Sequence, residues 1–294
     1  MLRFCEKVTE RTEGRVTVTG YTDAVLGPGA EAITEMVMRG DVEMMFDALD
    51  DSFDPRIAVG YYIPFIFNDF DAAARLWSTD GFVFNILNEV VQPLGYRCLG
   101  AWSAGISGLS TRDVPPSPFD PDVPKNMKVR VMGLTACRLT FERLGYMVTA
   151  IPFGEVYTSL QTGIVDGQQG GGTMQAYMFR DVQNCYIHYK DYIEPIWISV
   201  NTEAFESLDP IDQEIITSVA QEEQELQFRA AEAMDEKYMG MLRDYGWTVL
   251  IPTDEEWQRM ADAVLQDVWP ELTPIIGKSI IYRLYDELGK PRPK

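Results

Sequence analysis

The stretch from Asp209 to Tyr245 constrains the fold of this chain more than any other. Asp209 and Pro210 form a typical helix start, an N-cap followed by a proline at the first helical position. The helical pattern then runs to about Tyr245 without another proline and with only Gly240 inside it. At 1.5 Å per residue this helix is roughly 50 Å long. It is too long for one small lobe, so the sequence predicts a helix that spans two.

The rest of the chain alternates between helical and extended patterns, which is typical of an α/β protein with a parallel sheet. With 294 residues, the chain has about twice the common domain size. Helices are predicted at 2–13, 29–39, 71–92, 134–145 and 154–162, and strands at 15–21, 41–46, 96–102 and 128–132. A proline-rich stretch at 113–124 predicts a surface connector, and the apolar run at 61–67 predicts a core-packing loop.

Charge and hydropathy exclude several classes of protein. Acidic residues number 45 against 25 basic ones, which gives a net charge of −20. A phosphate backbone would be repelled, so no nucleic-acid partner is expected. The surface charge does not fix the sign of a small ligand, because salt screens charges beyond about 8 Å. No window of 18 apolar residues predicts a membrane span.

The first residues carry no recognisable export signal. Met1–Lys7 reads as the start of an amphipathic helix and has none of the apolar core of a signal peptide. Two expectations stay open: either the targeting segment is absent from this chain, or the protein is cytoplasmic.

The residue inventory argues against an enzyme, a metal site or a cofactor. One histidine, His188, cannot build a multi-histidine metal site, and its tyrosine neighbours indicate a structural role. Gly105–Leu109 lacks the second glycine of a nucleophile elbow. The four cysteines contain no CxxC motif and are predicted to be buried free thiols, although a disulfide stays open.

Two patterns match ligand-binding motifs only weakly. Gly27–Ala32 fits GxGxxA, but five residues separate it from the preceding predicted strand, so a plain loop is the better interpretation. Asp47, Asp50, Asp51 and Asp54 lack the spacing of a calcium loop and predict a solvated acidic loop.

Arg130 is the most informative residue. It lies in the short predicted strand KVRVM, between Val129 and Val131, where a buried strand should be apolar on both faces. A guanidinium taken out of water needs an anionic partner, and its planar fork matches a carboxylate. In open α/β sheets the carboxyl ends of the strands face the ligand crevice. The sequence leaves two partners open: a bound organic anion, or an acidic residue of the chain itself.

The segments around Arg130 resemble a known family. PFGEVYTSLQTGIVDGQ at 152–168 is similar to the signature of the solute-binding proteins of TRAP (tripartite ATP-independent periplasmic) transporters, the DctP-like family. Further similar segments, in the same order, are LGPGAE at 26–31, IPFIF at 63–67, GYRCLGAW at 95–102 and AFESLDPIDQEII at 204–216. The resemblance covers nearly the whole chain.

The resemblance implies a fold of the type II periplasmic-binding-protein kind. Two α/β lobes would enclose a ligand cleft, joined by hinge strands and the long helix. Lobe I would comprise residues 1–105 and 193–235, with its first strand missing, and lobe II residues 106–192 and 236–294. The chain would be a periplasmic, monomeric binding protein that works with TRAP membrane subunits and is not an enzyme. A nucleotide- or carboxylate-dependent enzyme and a ligand sensor on the same fold stay open alternatives.

The resemblance also assigns site residues. Arg130 would bind the ligand carboxylate and Phe153 would pack against the ligand. The family's usual GQENP is Gly167–Gly171 here, so Gly170 replaces the asparagine beside Gln169, and Ser107 stands in place of a second basic group. These departures favour a monocarboxylate, bulky or aromatic, over strongly charged ligands such as dicarboxylates or sialic acids. The remaining candidates are the stacking residues Trp102 and Trp197, for which a core role is equally open, together with Glu31 and Asp47.

Overall fold

The computed structural model describes residues 1–22, 25–27 and 30–292. In this part of the chain the α-helices are α1 Leu2–Arg11, α2 Ala30–Arg39, α3 Phe70–Trp77, α4 Phe82–Val91, α5 Thr135–Arg143, α6 Val156–Gln161, α7 Gly172–Met178, α8 Thr202–Glu206, α9 Pro210–Asp244, α10 Asp254–Asp267, α11 Trp269–Ile276 and α12 Lys278–Glu287. The strands are β1 Met44–Asp47, β2 Tyr96–Ile106, β3 Leu109–Thr111, β4 Lys128–Val131, β5 Met147–Ala150, β6 Gly167–Gln169, β7 Cys185–Ile187, β8 Ile193–Asn201 and β9 Thr248–Leu250. Short 3₁₀ helices lie at Pro55–Gly60, Gln92–Leu94 and Phe153–Glu155.

The chain forms two compact units. The first unit is Met1–Tyr61, Ala74–Ser103 and Pro195–Arg229, and the second is Tyr62–Ala73, Ala104–Glu194 and Ala230–Lys294. Strands β2 and β8 and helix α9 contain residues of both. The lobe limits derived from the sequence stay predictions. The compact units differ from them most clearly at residues 62–73, which the structure groups with the second unit.

The first unit is built on a three-stranded sheet of order β1-β8-β2. β1 runs antiparallel to β8, with Phe46 opposite Ile198. Helix α1 packs its apolar face, Phe4 and Val8, into a core that also contains Val219 of α9. These side chains are fully buried, and each is expected to stabilise the unit by about 1.5–3 kcal/mol.

The second unit is built on a six-stranded sheet of order β5-β4-β6-β3-β7-β9. β4 runs parallel to β5 and β6, and β7 runs parallel to β9. β3 is antiparallel to both of its neighbours, so the sheet is mixed and the parallel arrangement that the alternation predicts does not hold at β3. Helices connect β4 to β5, β5 to β6 and β6 to β7, and such crossovers keep strands parallel. β3 precedes this series and enters the sheet in the opposite direction.

Two predicted elements are wrong in detail. Residues 15–21 form no strand in the described structure, although Val16 and Val18 pack against the first-unit core as their alternation requires. The predicted helix 71–92 is broken into α3 and α4, and Gly81 is the N-cap of α4. A Cβ atom on Gly81 would lie 2.4 Å from the carbonyl oxygens of Arg75 and Leu76, so the chain turns too tightly there for any other residue.

The long helix is confirmed: α9 has 35 residues. Within the first unit, Gln224 of this helix accepts a hydrogen bond from the Ala101 N–H at 2.6 Å and donates one to the Trp77 carbonyl at 3.0 Å. Within the second unit, Asp235 of the same helix accepts hydrogen bonds from Thr173 at the start of α7. Paired polar side chains therefore fix both halves of α9.

All four cysteines are buried free thiols, as predicted: Cys5, Cys98, Cys137 and Cys185. Burial raises the pKa of Cys98 to about 12 and that of Cys185 to about 11. Among the described residues, no helix is long and apolar enough to cross a membrane.

Candidate functional site

Arg130 lies in the second position from the end of β4, the central strand of three parallel neighbours. It is opposite Thr149 of β5 and Gln168 of β6. Val129 and Val131 are fully buried in the core, as the sequence predicts, and Arg130 itself is only 4% exposed. The guanidinium is thus a positive charge largely removed from water.

Main-chain carbonyls hold this guanidinium from both sides. Nε donates to the Ile151 carbonyl at 2.8 Å, just beyond β5, and Nη1 donates to the Gln169 carbonyl at 3.1 Å, at the end of β6. Two neutral acceptors orient the plane of the side chain but do not neutralise its charge. The carboxyl ends of β5, β4 and β6 meet here, at the edge of the sheet where ligands bind in open α/β folds.

Glu194 is an acidic partner of Arg130 within the chain. Its carboxylate accepts a hydrogen bond from the Gly171 N–H and interacts with the side chain of Tyr192. Burial raises the pKa of Glu194, and these two contacts together with the positive charge of Arg130 act to lower it. Arg130, Gly170, Gly171, Tyr192 and Glu194 are called the Arg130 cluster below. Glu194 is therefore the internal acidic partner that the sequence left open as one alternative for Arg130.

Gly170 explains why the usual asparagine is absent from this position. Its φ angle is +117°, a conformation that residues with a Cβ rarely adopt. A Cβ atom placed there would lie 3.8 Å from the Tyr192 hydroxyl and 4.0 Å from Nη1 of Arg130. The Gly170 N–H donates to the Gly108 carbonyl at 3.3 Å. Gly170 therefore contributes space beside Arg130, and its N–H is already used within the fold.

A buried polar network lies behind the Arg130 cluster. Gln169 is fully buried, and its Nε2 donates to Ser107 Oγ and to Asp191 Oδ2, each at 3.4 Å. Asp191 is fully buried as well and accepts a hydrogen bond of 2.9 Å from the Tyr62 hydroxyl. Burial raises the pKa of Asp191 to about 7. Ser107 and Gln169 thus belong to a hydrogen-bonded layer under the sheet edge.

Phe153 is in the 3₁₀ helix that follows β5. Its ring is 53% exposed and lies 6.3 Å from the ring of Phe179, measured between centroids. A large exposed aromatic side chain one short segment from the Ile151 carbonyl, which anchors Arg130, is available for contact with an apolar part of a ligand.

The other four candidates are in the first unit. Asp47 and Trp102 line the same cavity, which has a volume of about 1080 Å³, and burial raises the pKa of Asp47. Glu31 is exposed in the first turn of α2. Trp197 is fully buried, and its indole N–H donates to the Gly60 carbonyl at 2.8 Å, so the structure places it in the core of this unit.

The weak motifs gain no support from the described residues. Pro28 and Gly29 of the GxGxxA match lie outside the described residues. No group of three histidine, cysteine or acidic side chains that could hold a metal ion occurs among residues 1–22, 25–27 and 30–292. His188 is buried beside Asp235, with Nε2 and Oδ2 3.5 Å apart, and burial lowers the pKa of His188 to about 3.

Sequence reasoning missed Glu194, Asp191 and Tyr192. The signal was the one that identified Arg130: charged residues inserted in an apolar stretch. Residues 185–201 are rich in aromatic and β-branched side chains, and Asp191 and Glu194 interrupt them. Arg130 and Tyr62, which interact with Glu194 and Asp191, lie 64 and 129 residues away along the chain, so the pattern alone did not connect them.

Comparison with known proteins decides the family. The family model described as bacterial extracellular solute-binding protein, family 7 (DctP), matches residues 1–273. The chain belongs to this family. The resemblance to TRAP solute-binding proteins inferred from the sequence is thereby confirmed.

Individual DctP relatives are distant in sequence but are matched over most of their length. The sialic acid-binding periplasmic protein SiaP of Vibrio cholerae is 23% identical over 285 residues, covering 96% of this chain and 85% of SiaP. The 2,3-diketo-L-gulonate-binding periplasmic protein YiaO of Escherichia coli is 24% identical, covering 89% of this chain and 78% of YiaO.

Solved structures confirm the predicted fold class. A TRAP periplasmic solute-binding protein from Ochrobactrum anthropi superposes with a TM-score of 0.87 at 24% identity, covering 98% of this chain and 89% of the other. One from Desulfovibrio salexigens with bound orotic acid gives 0.82 at 22% identity, covering 98% and 92%. The DctP chain described here therefore has the α/β fold of type II periplasmic binding proteins.

Proposed function

We propose that this chain is the periplasmic solute-binding component of a TRAP transporter, that it is not an enzyme, and that it binds a small organic monocarboxylate through Arg130. The observation that carries the proposal is the buried guanidinium at the meeting point of three strand ends, oriented by the Ile151 and Gln169 carbonyls. A ligand carboxylate can accept two parallel charge-assisted hydrogen bonds from a guanidinium.

Neighbouring residues support a single anionic group. Ser107 is a buried neutral residue where a second basic group would otherwise stand, and Glu194 already supplies one negative charge. Gly170 leaves space, and the exposed ring of Phe153 offers an apolar surface. Relatives and similar structures are named for binding carboxylic acids, among them sialic acid, D-erythronate and orotic acid, which fits the same chemistry.

The proposal includes hinge closure of the protein on its ligand and delivery to TRAP membrane subunits by a monomeric binding protein. Closure follows if the ligand binds the closed state better than the open state. Small-angle scattering with and without ligand is expected to show a smaller radius of gyration in the bound protein. An unchanged radius at saturation contradicts hinge closure.

The test is a thermal-shift screen of carboxylates and matched sulfonates, followed by calorimetry on the hits. A ligand present at 100 times its Kd stabilises the folded state by about 2.7 kcal/mol. Arg130→Ala is expected to abolish this shift, while Arg138→Ala, at an exposed arginine of α5, is expected to keep it. Equal stabilisation of the Arg130→Ala protein refutes the anchor. Recovery of chemically altered ligand by NMR refutes the assignment as a binding protein.

A further inference from the structure

The Arg130 cluster contains an acceptor as well as a cation. Glu194 is the second residue of β8 and belongs to the second unit, like Arg130. The Gly171 N–H and the Tyr192 side chain fix its carboxylate, and Arg130 is close enough to stabilise its negative charge. The inference drawn from this arrangement rests on the proposed function, because it concerns the ligand that Arg130 binds.

One oxygen of this carboxylate lacks a donor. Oε2 of Glu194 is a buried atom with no hydrogen-bond partner among the described residues, although the residue as a whole keeps some exposure. A buried carboxylate oxygen without a donor is costly, and buried polar atoms of this kind are normally satisfied by protein, water or ligand. The Glu194 carboxylate is therefore bonded to the fold, while its Oε2 has no donor among the described residues.

The Arg130 cluster brings a cation, a hydroxyl and a carboxylate together beside Gly170 and Gly171. The space over Gly170 lies 4.0 Å from Nη1 of Arg130 and 3.8 Å from the Tyr192 hydroxyl, and Tyr192 contacts Glu194. A carboxylate bonded to Arg130 would thus bring its α- or β-substituent into the electrostatic field that Arg130 and Glu194 share. A second anionic group at that substituent would be repelled, whereas an O–H or N–H group would be paired.

We propose that Glu194 is a specificity-determining residue of the Arg130 site. It selects carboxylic acids that carry an O–H or N–H donor on the carbon next to the carboxylate or one carbon further. Arg130 binds the carboxylate, and Oε2 of Glu194 accepts the hydrogen bond from the neighbouring donor. Acids without such a donor leave Oε2 unpaired, and acids with a second carboxylate at that place oppose its charge.

The test compares three acids that differ only at the carbon next to the carboxylate. Propanoate, lactate and alanine form one series, and 3-phenylpropanoate, 3-phenyllactate and phenylalanine form a bulkier one. Calorimetry on the full chain is expected to give a Kd at least about tenfold lower for the hydroxy or amino member than for the unsubstituted acid. The hydroxy and amino members distinguish a hydroxyl donor from an ammonium donor.

Variants then assign the discrimination to Glu194. Glu194→Gln is isosteric and is expected to reduce the preference for the ammonium member by about tenfold or more, because the charge is removed, and to change the hydroxy member less. Glu287→Gln, at an exposed residue of α12, is the matched control and is expected to change neither ratio. If Glu194→Gln does not fold, Glu194→Asp, which keeps the charge but shortens its reach, is expected to weaken the discrimination.

Two failures can be told apart. If Arg130→Ala abolishes binding while wild type and Glu194→Gln bind all members of a series with the same relative Kd values, the proposed function stands and the role of Glu194 is overturned. If Arg130→Ala binds the acids as tightly as wild type, the proposed function itself fails.

Discussion

Asp191 makes a quantitative prediction about stability and pH. Its carboxyl group is fully buried, and burial raises its pKa from 3.8 to about 7, against opposing hydrogen bonds from Tyr62, Gln169 and Ser107. Between these two pH values the folded protein keeps the proton and the unfolded chain has lost it. The unfolded state then binds fewer protons, so stability falls as pH rises through this window.

The magnitude follows from the width of the window. Each unit of pKa difference corresponds to about 1.4 kcal/mol. A shift of about three units therefore means that, above pH 7, the ionised Asp191 lowers the free energy of unfolding by up to about 4 kcal/mol. Asp191→Asn keeps the shape of the side chain but cannot ionise. The free energy of unfolding of the variant minus that of wild type is therefore expected to rise by up to about 4 kcal/mol between pH 4 and pH 8.

Urea unfolding followed by tryptophan fluorescence measures this difference at several pH values. His188 and Asp235 also have shifted pKa values, lowered to about 3 and raised to about 6, but both groups are present in wild type and variant. Their contributions cancel in the comparison unless they couple directly to Asp191. Asp71→Asn, at an exposed position of α3, is the control for removing a carboxylate elsewhere in the second unit. A flat difference for Asp191→Asn would refute the reasoning.

Three further predictions concern stability and are measured as shifts in the urea midpoint. Gly170→Asn should destabilise the protein by about 1–3 kcal/mol, because a φ of +117° suits only glycine. Gly154→Ala, with open space around its Cβ position, is the control and should be neutral or stabilising by up to about 1 kcal/mol. Equal changes in the stability of the two variants would contradict this. Lys125→Met should cost roughly 2–3 kcal/mol, because the buried ammonium donates to three carbonyls of the proline-rich connector, and an unchanged midpoint would show that these bonds do not hold the connector. Thr253→Ala should cost about 0.5–2 kcal/mol by removing the capping box at the start of α10, and the prediction fails if Thr253→Ser is destabilised equally.

The elements that the sequence predicted well have their cause in local chemistry. Helix α9 is predicted by an N-cap, a first-turn proline and a long interval without helix breakers, and all three features are present in the sequence. The segment Lys128–Met132 predicted a buried strand with one exceptional charge, and β4 has that form. In both cases the sequence signal itself lies within a short segment of the chain.

The elements that the sequence missed depend on distant partners. Residues 15–21 alternate correctly for a strand, but a strand also needs a neighbour to pair with, and none is provided in the described structure. Gly81 breaks the predicted helix because the end of α3 approaches it closely, a condition that residue spacing does not contain. Glu194 is more than 60 residues from Arg130 along the chain. Only the folded structure shows that the Arg130 cation and the Glu194 acceptor interact.

The buried state of the four cysteines has a practical consequence for following ligand binding. Cys5 also has a raised pKa because of burial, so it, Cys98 and Cys185 hold little of the reactive thiolate at neutral pH. Maleimide dyes should therefore react slowly with the folded protein. A single cysteine introduced at an exposed position, such as Glu287, could be labelled selectively while all native thiols stay in place. With one labelled cysteine in each unit, single-molecule fluorescence with and without ligand would test the proposed hinge closure on individual protein molecules.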